Sequence, residues 1–324
     1  MSDGARPALS VVVPVFNEAR SLADLYHRLA LTLKELGRPY EIIFVDDGSR
    51  DGSADALRAL RAQDTLVKVI RFNRNYGQHA AVLAGMERAR GEIVVTLDAD
   101  LQNPPEEIPR LLAALTDGVE VVAGWRVNRR DPWPRRAASW LVNRLTSAIV
   151  GVHLRDYGCM LRAYRRSVVD QIVACQGVSQ FIPALAASFA TSMAEVPVIH
   201  MKREHGRSRY GVFRLLRLNF DLLTGFSLLP IQVVSLVGIA VSVLGLGFAL
   251  FLGLRRLLVG PEVEGVFTLF AILFFFVGLQ ILALGLIGEY VGRIYQEVRR
   301  RPRYMISEVL DPARARHSST SLIM

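Results

Sequence analysis

The sequence predicts an α/β protein: an N-terminal domain on a mainly parallel, doubly wound sheet, then amphipathic interfacial helices and a two-helix transmembrane hairpin. Three observations carry this reading. From residue 9 to residue 124, short apolar runs rich in valine and isoleucine alternate with stretches of helical periodicity, the signature of a parallel α/β sheet. Two uncharged apolar runs, 231–254 and 266–287, each exceed the roughly 20 residues a helix needs to cross hydrocarbon. Arginines gather on the outer flanks of both runs.

The first strand is read at 9–15. A helix follows over 19–36, with Leu22, Leu25, Leu29, Leu33 and Leu36 at helical spacing. Residues 41–45 read as the second strand, and Ser53 as the cap of a helix running to about Gln63. Strand 67–72, helix 76–89 and strand 92–97 come next. Asn103 reads as a cap for a helix with Pro104 or Pro105 in its first turn and Glu106 and Glu107 at its positive end. A further strand covers 119–124.

The membrane part follows from charge. Arg203, Arg207, Arg209, Arg214 and Arg217 precede the first span, and Arg293, Arg299, Arg300, Arg301 and Arg303 follow the second. The link between them holds Glu262 and Glu264 beside Arg255 and Arg256. The positive-inside rule then puts both outer flanks in the cytoplasm. Residues 211–226 read as an amphipathic helix on the membrane surface. Residues 135–150 read either that way or as a core-facing helix, and Trp133 as an interfacial anchor. The domains expected are 1–210, 211–229, 230–288 and a cytoplasmic tail over 289–324.

Composition narrows the partners. The net charge is +9 over 324 residues, and the mean hydropathy is +0.29. A basic chain with apolar spans meets anionic headgroups or phosphorylated substrates. No helix-turn-helix, zinc-finger or RNP pattern occurs, which argues against nucleic acid. Cys159 and Cys175 show no metal-ligand spacing and fit a reducing compartment. The first nine residues are polar, so no cleavable signal peptide is expected.

In doubly wound sheets, ligands bind beyond the carboxyl ends of the strands. There the sequence places Asn17-Glu18, then Asp46-Asp47-Gly48-Ser49, then Asp98-Ala99-Asp100-Leu101-Gln102. No GxGxxG follows the first strand, which argues against a nicotinamide cofactor. Two carboxylates as close as Asp98 and Asp100 repel each other unless a cation lies between them. Hard oxygen donors suit Mg²⁺ or Mn²⁺ bridging to a diphosphate. Asp46 and Asp47 have the chemistry to accept hydrogen bonds from a base N–H and ribose hydroxyls, with Gly48 allowing close approach.

The runs VVVPVFNE, VDDGSRDGS and TLDADLQNPPEEIPRL resemble family 2, GT-A fold glycosyltransferases of the polyprenyl-phosphate group. NRNYGQHAAVLAG, RDYGCMLRAYRR and GEYVGRIYQEVRRRPRY resemble the bacterial members that transfer 4-deoxy-4-formamido-L-arabinose to undecaprenyl phosphate. The resemblance spans residues 9–304. It implies a UDP-sugar donor, an undecaprenyl phosphate acceptor, inversion at the anomeric carbon, a homotetramer, and a multi-pass place in the bacterial inner membrane with the catalytic domain cytoplasmic. It further implies a product that feeds lipid A modification and polymyxin resistance.

Roles follow by resemblance. Pro14, Asn17 and Glu18 would line the nucleotide pocket, and Asp46 and Asp47 would hold uridine. Asp98, Asp100 and Gln102 would bind metal and diphosphate. Asp156 sits where the group's proposed base lies, as base or as orienting group. Arg126 and Arg162 would meet phosphate or position Asp156. Arg203, Ser208 and Arg209 belong to a basic loop, 203–210, with arginine where the group usually has lysine, so bidentate phosphate contact becomes available. His79 reads as a structural histidine or a donor-sugar contact, and Arg129 and Arg130 as lipid-phosphate or solvated arginines. The alternatives are another undecaprenyl-phosphate transferase, for glucose or an N-acetylaminosugar, and a non-catalytic membrane scaffold. A polysaccharide synthase would need more spans.

Overall fold

The computed structural model describes residues 6–127, 154–175, 181–201, 229–260, 266–298 and 302–311. The chain divides into two compact units, residues 1–217 with 302–324, and residues 218–301. Residues 135–150 and 211–226, the basic loop at 203–210, Arg129, Arg130 and Trp133 lie outside the described residues.

The first unit holds β1 (Leu9–Val15), α1 (Leu22–Glu35), β2 (Tyr40–Asp46), α2 (Ser53–Gln63), β3 (Val67–Phe72), α3 (Gln78–Arg88) and β4 (Ile93–Thr96). A 3₁₀ turn (Pro105–Glu107), α4 (Ile108–Ala114), β5 (Val121–Arg126), β6 (Arg162–Arg165), α5 (Arg166–Ala174), α6 (Ile182–Phe189) and β7 (Met193–Val198) follow. The second unit holds α7 (Leu229–Val259) and α8 (Val266–Val298), after which the chain returns to the first unit as β8 (Ile306–Leu310).

The strand order is β7-β5-β6-β4-β1-β2-β3-β8. β1 is central, and all seven of its residues are buried. Strands covered on both faces read as continuous apolar runs, which is why LSVVVPV was legible as a strand. Leu22, Leu25, Leu29 and Leu33 of α1 lie buried in the core as their spacing predicted. α3 presses closely on the sheet at Gly85, where a Cβ would meet Val12 Cγ1 at 2.3 Å.

The sheet is mixed rather than mainly parallel at its flanks. β4, β1, β2 and β3 form a parallel centre. β6 runs antiparallel between β4 and β5, and β8 runs antiparallel on the outer edge of β3. β8 falls inside the stretch expected to be a separate tail. Two caps also differ from expectation. No side chain caps the turn after Pro104, and the N-cap position of α2 is Gly52. The Ser53 hydroxyl instead donates to Asp51 at 2.6 Å and accepts from the Glu18 N–H at 3.0 Å.

In the second unit, α7 has 31 residues and α8 has 33. At 1.5 Å per residue both reach well beyond the roughly 30 Å of a hydrocarbon core. Large apolar side chains face outward on both, among them Leu236 at 70%, Leu244 at 73% and Leu284 at 61% exposure. Among the described residues one helix is long and apolar enough to cross a membrane, over Phe275–Gly292, and the apolar stretch of α7, Ile231–Gly245, is shorter.

Candidate active site

Three loops meet at the carboxyl edge of the central strands, and backbone hydrogen bonds tie them together. Asn17 leaves β1 with φ 56°, and its N–H donates to Ser49 Oγ at 2.9 Å. Its Oδ1 accepts from the Arg50 N–H at 2.8 Å, and the Ala19 N–H donates to Asp51 Oδ2 at 3.1 Å. The turn carrying Asn17 and Glu18 is thereby fixed to the loop after β2. Pro14 is buried inside β1 itself.

Asp46 and Asp47 are not the open hydrogen-bond acceptors that the sequence suggested. Asp46 is wholly buried, with Oδ1 accepting from the Ser49 N–H at 2.9 Å and Oδ2 3.3 Å from Arg71 Nε. Asp47 is 2% exposed and accepts from three donors of the β3–α3 loop: the Tyr76 N–H at 2.6 Å, the Gly77 N–H at 2.9 Å and Asn75 Nδ2 at 2.8 Å. Gly48 has φ 70°, and a Cβ there would lie 2.5 Å from the Arg74 carbonyl carbon, so the two loops touch backbone to backbone. These carboxylates organise the loops at the strand ends.

Burial pushes the Asp47 carboxyl up to about 6, against the pull of the Tyr76 and Gly77 N–H groups and with a smaller push from Asp46. A carboxyl raised on folding contributes stability below its unfolded value, and that contribution is lost as pH rises through the folded value. The window here runs from about 4 to about 6. We expect the Gly77 amide resonance to titrate with a midpoint near 6 in the folded protein. A flat shift from pH 5 to pH 7 would contradict the assignment.

The acidic pair after β4 is different. Asp98 and Asp100 are half-exposed. The Leu97 N–H still bonds Val12 O at 3.1 Å, and Ser21 Oγ donates to Ala99 O at 2.9 Å, so the turn leaves the sheet on fixed anchors. Leu101 lies at φ 59°, which folds the chain back. Asp98 Oδ1 accepts from Gln78 Nε2 at 2.5 Å, Asp100 Oδ1 from the Gln102 N–H at 3.1 Å, and Gln102 O from the Met201 N–H at 2.8 Å.

Among the described residues no group of three or more His, Cys, Asp or Glu side chains comes together to hold a metal. Two accessible carboxylates with one amide fit a hard cation that keeps waters and takes its remaining ligands from a bound phosphate, as Mg²⁺ and Mn²⁺ do. Gln78, which sequence reasoning missed, orients Asp98. It lies in an uncharged stretch and has no titratable group to draw notice.

The third cluster centres on Asp156, which is 3% exposed. Arg126, at the end of β5, forks onto it with Nε to Oδ2 at 2.6 Å and Nη2 to Oδ1 at 2.9 Å, and the Gly158 N–H donates to Oδ1 at 3.0 Å. Burial alone would lower the Arg126 guanidinium, but the Asp156 carboxylate outweighs it and holds it above its usual range. Of the two roles read for Arg162, phosphate contact or the positioning of Asp156, the geometry fits the second. It is fully buried, and its donors reach the main-chain oxygens of Cys159 at 2.9 Å, Asp156 at 3.1 Å and Tyr157 at 3.2 Å. It shapes the turn that presents Asp156. His79 packs edge-on against Phe181, and burial together with Arg162 lowers it to about 4, so it is neutral at pH 7. Arg203, Ser208 and Arg209 lie outside the described residues.

The model of the family "Glycosyl transferase family 2" matches residues 10–173. A curated protein of Aeromonas hydrophila subsp. hydrophila, named undecaprenyl-phosphate 4-deoxy-4-formamido-L-arabinose transferase, is 50% identical over 309 residues, 94% of each chain. A protein of the same name from Edwardsiella ictaluri is 50% identical over 305 residues, 93% of this chain and 94% of that one. Among solved structures, glucosyl-3-phosphoglycerate synthase from Mycobacterium tuberculosis, in complex with Mn²⁺, UDP and glucosyl-3-phosphoglycerate, aligns with a TM-score of 0.51 at 16% identity. The alignment covers 68% of this chain and 78% of that one, a likeness of fold. With just over half of the chain matched by the family model and relatives half identical over nearly all of it, this chain belongs to glycosyl transferase family 2.

Proposed function

We propose that the protein transfers 4-deoxy-4-formamido-L-arabinose from its UDP derivative to undecaprenyl phosphate, with inversion, at the cytoplasmic face of the bacterial inner membrane. The product would serve lipid A modification and polymyxin resistance. The carrying observation is the accessible Asp98–Asp100 pair at the mouth of the sheet, in a chain half identical to relatives named for this transfer.

In the reaction, an acceptor phosphate oxygen bonds to the anomeric carbon as the bond from that carbon to the UDP oxygen breaks. A phosphate monoester has a second pKa of about 6, so the acceptor is mostly a dianion at pH 7 and requires no strong base. Asp156, with both oxygens held by Arg126 and Gly158, therefore acts as a positioning group that fixes the Arg126 guanidinium at the end of β5. Asp98, Asp100 and Gln102 would hold Mg²⁺ or Mn²⁺. Such an ion, when bound, neutralises charge developing on the departing diphosphate. The loop carrying Arg203, Ser208 and Arg209 supplies further positive charge to the phosphates.

A parity argument supports the hairpin. Residues up to 217 and the strand after α8 belong to one compact unit, which favours an even number of crossings. If α8 crosses through Phe275–Gly292, α7 crosses as well. The arginine flanks then support a cytoplasmic catalytic unit.

The test is mass spectrometry of the lipid formed from undecaprenyl phosphate and UDP-4-deoxy-4-formamido-L-arabinose. The expected product is the undecaprenyl phosphate ester of that sugar. A product only from UDP-glucose or a UDP-N-acetylaminosugar would overturn the sugar, and no product from any UDP-sugar would overturn the transfer.

A further inference from the structure

We infer that Tyr304, in the segment following the second long helix, is a positioning residue for the donor site, acting through Phe72 and the β3–α3 loop. This rests on the reading of that site as a nucleotide-sugar pocket. β8 pairs antiparallel with β3 through Val69–Leu310, Ile70–Val309, Arg71–Glu308 and Phe72–Ile306. The pairing is reinforced by Arg58, which forks onto Glu308 at 2.8 and 3.2 Å. Just before β8, the Met305 carbonyl accepts from the Asn73 N–H at 3.1 Å, at the point where β3 gives way to the site loop.

Tyr304 lies at the head of this seam. Its ring stacks on Phe72 with centroids 4.7 Å apart and planes 16° apart. Phe72 in turn meets Tyr76 edge-on at 5.7 Å. Tyr76 is the residue whose N–H donates to Asp47 at 2.6 Å. The Tyr304 hydroxyl donates to Glu87 on α3, the helix that begins with Gln78, and Gln78 holds Asp98. Arg303 donates to the Cys175 carbonyl at the end of α5. One side chain from the far end of the sequence therefore braces both the loop that engages Asp47 and the helix that orients Asp98. An aromatic ring suits this role because it presents a large rigid face at little cost in rotamer freedom.

The experiment compares the full-length protein with Tyr304→Ala, Tyr304→Phe and Tyr304→Leu. Hydrogen exchange of the peptide over 73–78, read without substrate, is expected to quicken about 5-fold in Tyr304→Ala, while a β1 peptide stays at the wild-type rate. The donor KM is expected to rise about 3- to 10-fold with kcat within about twofold, the size that loss of one aromatic stack converts to. Tyr304→Phe keeps the stack and loses only the hydroxyl contact to Glu87, so both readouts are expected to lie much closer to wild type than in Tyr304→Ala. Should Tyr304→Ala fail to fold, Tyr304→Leu carries the same comparison. Wild-type exchange at 73–78 together with an unchanged donor KM would overturn the proposal. An equal loss in Tyr304→Phe would overturn the assignment to the stack. The exchange readout needs no turnover, so its failure is distinct from a failure of the wild type to transfer sugar.

Discussion

Asp100→Ala is expected to lower turnover by on the order of 10²–10³, the range seen when one electrostatic contact to a developing negative charge is removed. Asp100 is half-exposed at the sheet mouth, and its Oδ1 accepts from the Gln102 N–H. Removing the carboxylate leaves the sheet and core intact, so melting should shift little, since substitutions at half-exposed positions away from buried networks stay within about 0.5 kcal/mol. Asp100→Asn should resemble Asp100→Ala in rate, because the amide lacks the charge that a divalent cation requires. Gln78→Ala should be milder, roughly 10- to 100-fold, the size found when a group orienting a ligand is lost. Activity near wild type in Asp100→Ala at matched divalent concentration would show that this pair does not carry the transfer.

The second large effect concerns Arg126 and Asp156. Their side chains are 18% and 4% exposed and meet in a bidentate pair. Losing one member of a buried ion pair typically costs about 3–5 kcal/mol, because the remaining charge loses its counter-charge. Arg126→Met should therefore destabilise the fold by about that amount and also lower turnover. Joining it to Asp156→Asn should cost less than the sum of the two, with a coupling of about 1–3 kcal/mol in denaturant unfolding. The pH profile separates the roles. For Asp156→Asn, the ratio of its rate to the wild-type rate should be the same at pH 8 and pH 5.5. A variant close to wild type at pH 8 that collapses at pH 5.5 would mark Asp156 as a proton acceptor and contradict the positioning role.

The parallel centre of the sheet was legible because its strands are covered on both faces and read as near-continuous apolar runs, such as VVVPV in β1 and IIFV in β2. The antiparallel flank strands were not, although β5 lies where a strand was expected at 119–124. β6 is Arg-Ala-Tyr-Arg, and no hydrophobic pattern announces it; Arg165 caps carbonyls of Leu115, Thr116 and Val119, while Arg162 is sealed in the turn before it. β8 is a five-residue edge strand whose partner lies more than 230 residues away in sequence, beyond any local signal.

The site's position was legible for a different reason: chemistry in open sheets gathers at the strand carboxyl ends. Individual roles were harder. A carboxylate's identity does not reveal whether neighbouring backbone N–H groups already occupy it. Asp47 and Asp98 look alike in sequence, yet one is buried under three donors of the β3–α3 loop and the other is half-exposed with Oδ1 accepting from Gln78. For Arg162 the sequence left two roles open, phosphate contact or positioning of Asp156, and its burial and bonds to main-chain carbonyls favour the second.

The most direct measurement is calorimetric titration of the purified full-length protein with UDP, in Mn²⁺ and again after chelation by EDTA. Tight binding with the cation, a loss of at least about 10-fold without it, and the same weakened affinity in Asp100→Ala whether or not Mn²⁺ is present are the expected results. Folded protein whose affinity for UDP is the same with and without the cation would contradict the account.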